Sequence, residues 1–122
     1  MKTDSIGNLI AVLFLSREIT HREHLRTDSY AQHMALGSFY EEIIDLADSL
    51  AEAYQGRVGR ITDIPYLGGN TKGEIVQILK KLLEKVEESR KECCPDDSTI
   101  QNIIDEVVSL YLSTIYKLTF LK

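Results

Sequence analysis

Apolar residues recur every three to four positions in four separate segments of the chain, which is the spacing of an amphipathic α-helix. These segments cover about residues 5–23, 29–55, 71–94 and 98–120. Between them, Gly, Pro, Asp and Asn interrupt the pattern and mark turns. The sequence therefore predicts an all-α protein with four helices.

The ends of the predicted helices carry capping signals. The second and third helices open on capping boxes, Ser29-x-x-Gln32 and Thr71-x-x-Glu74. Gly56 suits the left-handed position that ends the second helix. The remaining caps are predicted at Thr3, Asp4 or Ser5 for the first helix, and in the run Pro95-Asp96-Asp97-Ser98 for the fourth.

The lengths of the connections predict how the helices are arranged. Short links join the first helix to the second and the third to the fourth, so each pair should form an antiparallel hairpin. The middle link, residues 56–70, is about fifteen residues long and can run the length of a bundle. We therefore expect an antiparallel four-helix bundle with one longer crossover between helices two and three, the connectivity of ferritin-like bundles.

The fourth helix is apolar almost all round toward its end, where Leu110, Leu112, Ile115, Leu118 and Phe120 follow one another. A helix that is apolar on more than one side buries more than one face. The pattern predicts that a partner subunit covers the second face.

Length and charge restrict the remaining possibilities. The 122 residues suit a single domain, and the composition, 43% hydrophobic and 27% charged, is that of a soluble globular protein. The formal net charge of −5 argues against non-specific DNA binding, which needs clustered Lys and Arg. Residues 10–15 are too short an apolar run to span a membrane. A cytoplasmic location is expected, with the adjacent Cys93 and Cys94 as reduced thiols in a loop.

All three histidines lie in the stretch THREHLRTDSYAQH, residues 20–33, across the first predicted turn. Further along the second helix, Asp48 and Glu52 form a carboxylate pair one turn apart, and mixed oxygen and imidazole ligands suit iron. His33 and Asp48 are fifteen residues apart, about 22 Å along one helix. If His33 shares a metal with Asp48 and Glu52, these carboxylates must come from a second copy of the chain.

The run from Thr20 to Glu52 resembles the Dps-type mini-ferritins. The family pattern has two histidines twelve residues apart, an aspartate fifteen residues later and a glutamate four further on, and its positions fall on His21, His33, Asp48 and Glu52. The resemblance implies that these four residues hold Fe²⁺ in a ferroxidase site shared between two subunits, and that the protein is at least a homodimer.

Two positions depart from that pattern. Arg22 replaces the tryptophan that commonly follows the first histidine, and Gly37 replaces an acidic residue four after the second. His24 lies outside the matched set and is interpreted as a surface residue or a neighbour of the metal ligands. Tyr30, Phe39 and Tyr40 are expected to be core or interface aromatics.

A second hypothesis needs no metal. His21 and His33 are then polar residues at a helix junction, and the bundle is a catalytically inactive interaction or assembly protein, such as a phage or mobile element encodes. No phosphate-binding glycine loop or nucleophile motif supports a nuclease, kinase or hydrolase.

Overall fold

A computed structural model describes residues 2–68 and 72–122 of the protein. These residues form four helices and no strand: α1 (Lys2–Arg26), α2 (Tyr30–Arg57), α3 (Ile75–Arg90) and α4 (Ser98–Phe120). Helix α1 packs beside α2 and α3, and α4 packs beside the same two helices. The prediction of four helices packed in a bundle is therefore confirmed. No helix in the described part of the chain is both long and apolar enough to span a lipid bilayer.

The predicted apolar stripes form the core between the helices. Phe14 is an exception, because this apolar residue of α1 does not lie in the core and is 40% exposed. The largest buried side chains come from α1, α2, α3 and α4 alike and include Ile6, Leu9, Ile10, Leu13, Leu36, Phe39, Ile43, Leu50, Leu79, Ile100, Ile104 and Tyr111.

A buried polar contact joins α1 to α4 in the middle of this core. The Ser16 hydroxyl donates to the Val12 carbonyl at 2.8 Å and lies 2.5 Å from the Tyr111 hydroxyl. Because Ser16 has a single hydroxyl proton, the Tyr111 hydroxyl donates to Ser16. The Tyr111 ring meets Phe39 of α2 edge-on, with centroids 5.1 Å apart. Tyr111 thus connects three helices through one side chain.

Two predicted caps are confirmed. Ser29 accepts a hydrogen bond from the amide of Gln32 at the start of α2. At the start of α4, Asp97 accepts from the amides of Thr99 and Ile100. Arg57, at the end of α2, also donates to Asp97 at 2.8 Å, so this carboxylate both caps one helix and pairs with another.

Three predicted helix ends are wrong. Helix α1 begins at Lys2, so the predicted cap positions Thr3, Asp4 and Ser5 lie within the helix and not before it. Helix α2 continues through Gly56 to Arg57, and the glycine with a positive φ just beyond its end is Gly59, at 143°. Glu74 is the N-cap of α3 and makes no side-chain capping bond, so it does not occupy the third helical position that a capping box requires of its glutamate. Thr71 lies outside the described residues.

The connection between α2 and α3 passes close to the start of α1. The carbonyl oxygen of Asp63 lies only 2.0 Å from the point where a side chain at Gly7 would place its Cβ. Only glycine leaves room for this approach of two backbones. Gly7 therefore fixes the path of the long connection across α1.

Candidate functional site

Two histidines join the end of α1 to the start of α2 by reciprocal hydrogen bonds. The Nδ1 atom of His24 lies 2.7 Å from the carbonyl oxygen of His33, and Nδ1 of His33 lies 2.8 Å from the carbonyl oxygen of His24. A carbonyl oxygen only accepts, so each Nδ1 carries the proton and donates it. The His24 carbonyl is among the last four of α1, which lack a partner within the helix. We call this pair the histidine clasp.

The two imidazole rings of the clasp also stack. Their centroids are 3.8 Å apart and their planes differ by 15°. Gly37 lies beside this stack, because a Cβ at that position would stand 3.1 Å from Cε1 and 3.2 Å from Nδ1 of His24. The absence of a side chain at Gly37 thus accommodates the His24 ring.

His21 belongs to a second stack next to the clasp. Its ring lies on Tyr40 with centroids 4.1 Å apart and planes 10° apart, and His24 meets the edge of Tyr40 at 5.2 Å. The guanidinium carbon of Arg17 lies 5.7 Å from the centroid of the Tyr40 ring. Tyr40 is only partly buried, so it contributes a surface platform for these rings and not core packing.

Asp48 and Glu52 lie elsewhere on α2. Both are exposed, and Asp48 is fifteen residues beyond His33 in one continuous helix, about 22 Å along its axis. A single chain therefore does not bring the four predicted ligands together. Among the described residues, no group of three or more His, Cys, Asp or Glu side chains is arranged to hold a metal ion. The site between two copies of the chain stays a prediction.

The cysteine pair lies in the turn between α3 and α4. Cys93 is buried, and burial together with the neighbouring Cys94 raises the pKa of its thiol to about 12. Such a thiol stays protonated and is a poor nucleophile or metal ligand. Cys94 is partly exposed and has a positive φ of 51°.

An exposed apolar stripe runs along the second half of α4. Leu112 and Tyr116 are each 54% exposed and Phe120 is 70% exposed. Because they are spaced four residues apart, the three side chains lie on one face of the helix. The rings of Tyr116 and Phe120 lie 5.9 Å apart. We call these three residues the α4 stripe.

A groove of about 620 Å³ lies between α3 and α4, beside the α4 stripe. Its apolar floor consists of Leu83 from α3 with Leu112 and Ile115 from α4. Four α3 residues lie at its rim. Three of them are acidic, Glu84, Glu87 and Glu88, and the fourth is Lys80.

Sequence reasoning interpreted His24 only as a surface residue or a neighbour of the metal ligands, and it gave Gly37 no structural role. Their signal was present, because His24 and His33 lie nine residues apart across a two-helix hairpin, and Gly37 is a glycine inside the second helix, where a neighbouring ring needs space. The sequence predicted a second apolar face on α4, covered by a partner subunit; in the single chain part of this face is exposed, and its cover by a second subunit stays a prediction.

Comparison with known proteins identifies the family. The chain is an all-helical bundle whose residues 24–118 match the model of a family of unknown function, DUF5856. It belongs to that family. It is also similar to the "uncharacterized 14.6 kDa protein in mobD-ri intergenic region" of Enterobacteria phage T4, with 27% identity over 123 residues, covering 97% of this chain and 91% of the phage protein. No solved structure matches the chain significantly.

The resemblance to the Dps-type mini-ferritins is therefore wrong, because the chain matches a family of unknown function and an uncharacterized phage protein, and neither match is to a ferritin. The structure gives the hairpin histidines a local explanation. His24, which lies outside the ferritin pattern, pairs with His33, and the pair fastens two helices without a metal. Spacing alone could not separate a clasp from a pair of ligands.

Proposed function

We propose that the protein is an interaction or assembly protein, encoded by a phage or mobile element, that binds a protein partner through the α4 stripe. The observation that carries the proposal is the stripe itself. Leu112, Tyr116 and Phe120 are each at least half exposed on one face of a helix whose opposite face is buried. Aromatic side chains of this kind are enriched where proteins meet.

The arrangement of the helices makes this face a rigid platform. We infer that neighbouring helices are antiparallel, since the end of one helix meets the start of its neighbour at three places. These contacts are His24 with His33, Arg57 with Asp97 at 2.8 Å, and Arg90 with Gln101 at 3.0 Å. Buried Ile104, Val107 and Tyr111 hold α4 from the other side. A face supported in this way loses little freedom on binding.

The similarity to a phage T4 protein over most of both chains supports the phage or mobile-element origin.

Site-specific photocrosslinking tests this proposal. A benzoylphenylalanine replaces Tyr116 in one variant and Tyr30, an aromatic 76% exposed on another helix, in the control. In cells that carry the natural element, we expect one discrete adduct from position 116 and none from position 30. Leu112→Glu should abolish that adduct. The absence of an adduct at 116, or equal adducts at both positions, would overturn the proposal.

A shared metal site is a second candidate. The observation that favours it concerns His33. The Nδ1 atom of His33 donates to a carbonyl, and this arrangement leaves Nε2 available to a metal. The predicted ligands His21, His33, Asp48 and Glu52 would then meet across a homodimer.

Anaerobic titration with Fe²⁺, followed by metal analysis and mass measurement, tests this candidate. It predicts a dimer that binds a stoichiometric amount of metal and loses it in His33→Ala and in Asp48→Asn. A monomer, or a dimer that binds no metal, contradicts it.

A further inference from the structure

We propose that the partner presents a basic amphipathic helix, which lies in the groove between α3 and α4. This inference rests on the proposed function, since the groove shares Leu112 with the α4 stripe. It adds the chemical nature of the partner.

The charge around the groove is the first argument. Three of the seven lining residues, all within the described parts of α3 and α4, are glutamates, and Lys80 is the single base among them. Glu87 is paired with Arg90 at 3.4 Å. Neither Glu84 nor Glu88 forms an ion pair with any residue that the structure describes. Two exposed carboxylates therefore remain available to cationic side chains.

The shape of the groove is the second argument. It follows two packed helices, and its floor of Leu83, Leu112 and Ile115 is continuous with Tyr116 and Phe120. A third helix can lie along such a groove with its apolar side down. Glu84 and Glu88 are one helical turn, about 6 Å, apart. Lys or Arg residues one turn apart on the partner helix, beside its apolar stripe, would face them.

The same charges disfavour a second copy of this chain as the occupant. A symmetric dimer through the groove would present the same patch from both sides. Two patches that each carry three glutamates and one lysine would then face each other, and a net like charge at an interface opposes association. A homodimer through the predicted metal ligands would use the α1–α2 side and leave the groove open.

Binding of a model peptide tests this inference. The probe is a fluorescein-labelled, 18-residue amphipathic helix of Leu and Lys, and the control peptide has Glu at every Lys position. Fluorescence polarisation at low salt should show binding of the Lys peptide and none of the Glu peptide. Leu112→Ser should abolish binding, with thermal melting as the check that this half-exposed substitution leaves the fold intact.

Charge variants locate the binding site. Glu84→Gln with Glu88→Gln should weaken the Lys peptide about fivefold and reduce the salt dependence, as the loss of two exposed ion pairs implies. The matched control is Glu41→Gln with Asp45→Asn, which removes two exposed carboxylates one turn apart on α2. It should change the affinity by less than about 1.5-fold.

Three results would overturn the inference: equal binding of both peptides, equal effects of the two charge variants, or a dimer in solution that Leu112→Ser converts to a monomer. None of these three results bears on photocrosslinking at Tyr116, which tests the proposed function independently. A specific adduct at 116 without preference for the Lys peptide would retain the proposed function and reject the basic helix. Loss of the adduct would reject the proposed function itself.

Discussion

The side chain of His24 donates to the backbone carbonyl of His33, and the side chain of His33 donates to the backbone carbonyl of His24. The two rings stack at 3.8 Å between these bonds. Each ring depends on the other for its position, so the clasp should behave as one unit that fastens the α1–α2 hairpin.

His24→Ala and His33→Ala should each destabilise the protein by about 1 kcal/mol, the typical net contribution of a hydrogen bond. The double variant should cost clearly less than the sum of the singles, because removing either ring already removes the stack. Urea unfolding of the four proteins, followed by circular dichroism, measures this coupling. Additive costs would show that the two rings act independently.

Gly7→Ala should destabilise the protein although alanine is the better helix former. The gain in helix propensity is at most about 1 kcal/mol, whereas the new Cβ would lie 2.0 Å from the backbone oxygen of Asp63. That oxygen cannot rotate away, so the connection must move, at a cost typical of overpacking, about 1–3 kcal/mol.

Gly56→Ala is the matched control for Gly7→Ala. It also lies in a helix, but apart from its chain neighbours and the backbone of its own helix no atom stands within 4 Å of its added Cβ. We expect Gly56→Ala to stabilise the protein by about 0.5–1 kcal/mol. Thermal melting of both variants measures the difference, and stabilisation by Gly7→Ala would contradict the close approach of the loop.

Ser16→Ala should cost more than Tyr111→Phe. The first leaves a buried tyrosine hydroxyl without an acceptor, which costs about 1–3 kcal/mol. The second leaves Ser16 bonded to the Val12 carbonyl and should cost about 1 kcal/mol or less. The double variant should therefore be no less stable than Ser16→Ala alone. Denaturant unfolding measures the stabilities of the three variants. A double variant less stable than both single variants would contradict the prediction.

The stability of the protein should fall as the pH rises above about 9, partly because of Cys93. Its thiol ionises readily in the unfolded chain, whereas burial raises its pKa in the folded protein to about 12. Between these values the unfolded state binds fewer protons, so the free energy of unfolding decreases with pH.

Cys93→Ala isolates this contribution. The variant should lose less stability than the native protein between pH 8 and 10, measured as urea midpoints.

Iodoacetamide should modify Cys94 well before the buried Cys93 in the folded protein. Equal slopes with pH, or early modification of Cys93, would contradict the assignment.

Much of the fold could be predicted from local patterns. The apolar spacing located all four helices, and the caps at Ser29 and Asp97 depend only on residues a few positions away. The failures involve distant neighbours. Glycine is common at helix ends, yet α2 continues beyond Gly56. The residues around Gly7 give no sign of the loop that crosses it.

The candidate sites also divide into features that the local sequence indicates and features that depend on contacts distant in sequence. The apolar excess of α4 indicated a second apolar face, because one buried side cannot use so many apolar residues, but it could not show what covers that face. His21, His33, Asp48 and Glu52 matched a spacing, but spacing along a helix carries no information on which side chains meet. The partner of His33 in this chain is His24, and the contact depends on ring stacking and on the room at Gly37.

Hydroxyl-radical footprinting of the protein bound to its natural partner tests the central claim most directly. The rates of oxidation at Leu112, Tyr116 and Phe120 are compared with those of the free protein, with Tyr30 and Tyr66 as exposed internal references. We predict that oxidation of the three stripe residues falls severalfold in the complex while Tyr30 and Tyr66 react unchanged. Unchanged oxidation of the stripe, or protection of Tyr30 or Tyr66 in its place, would contradict the assignment of α4 as the binding face.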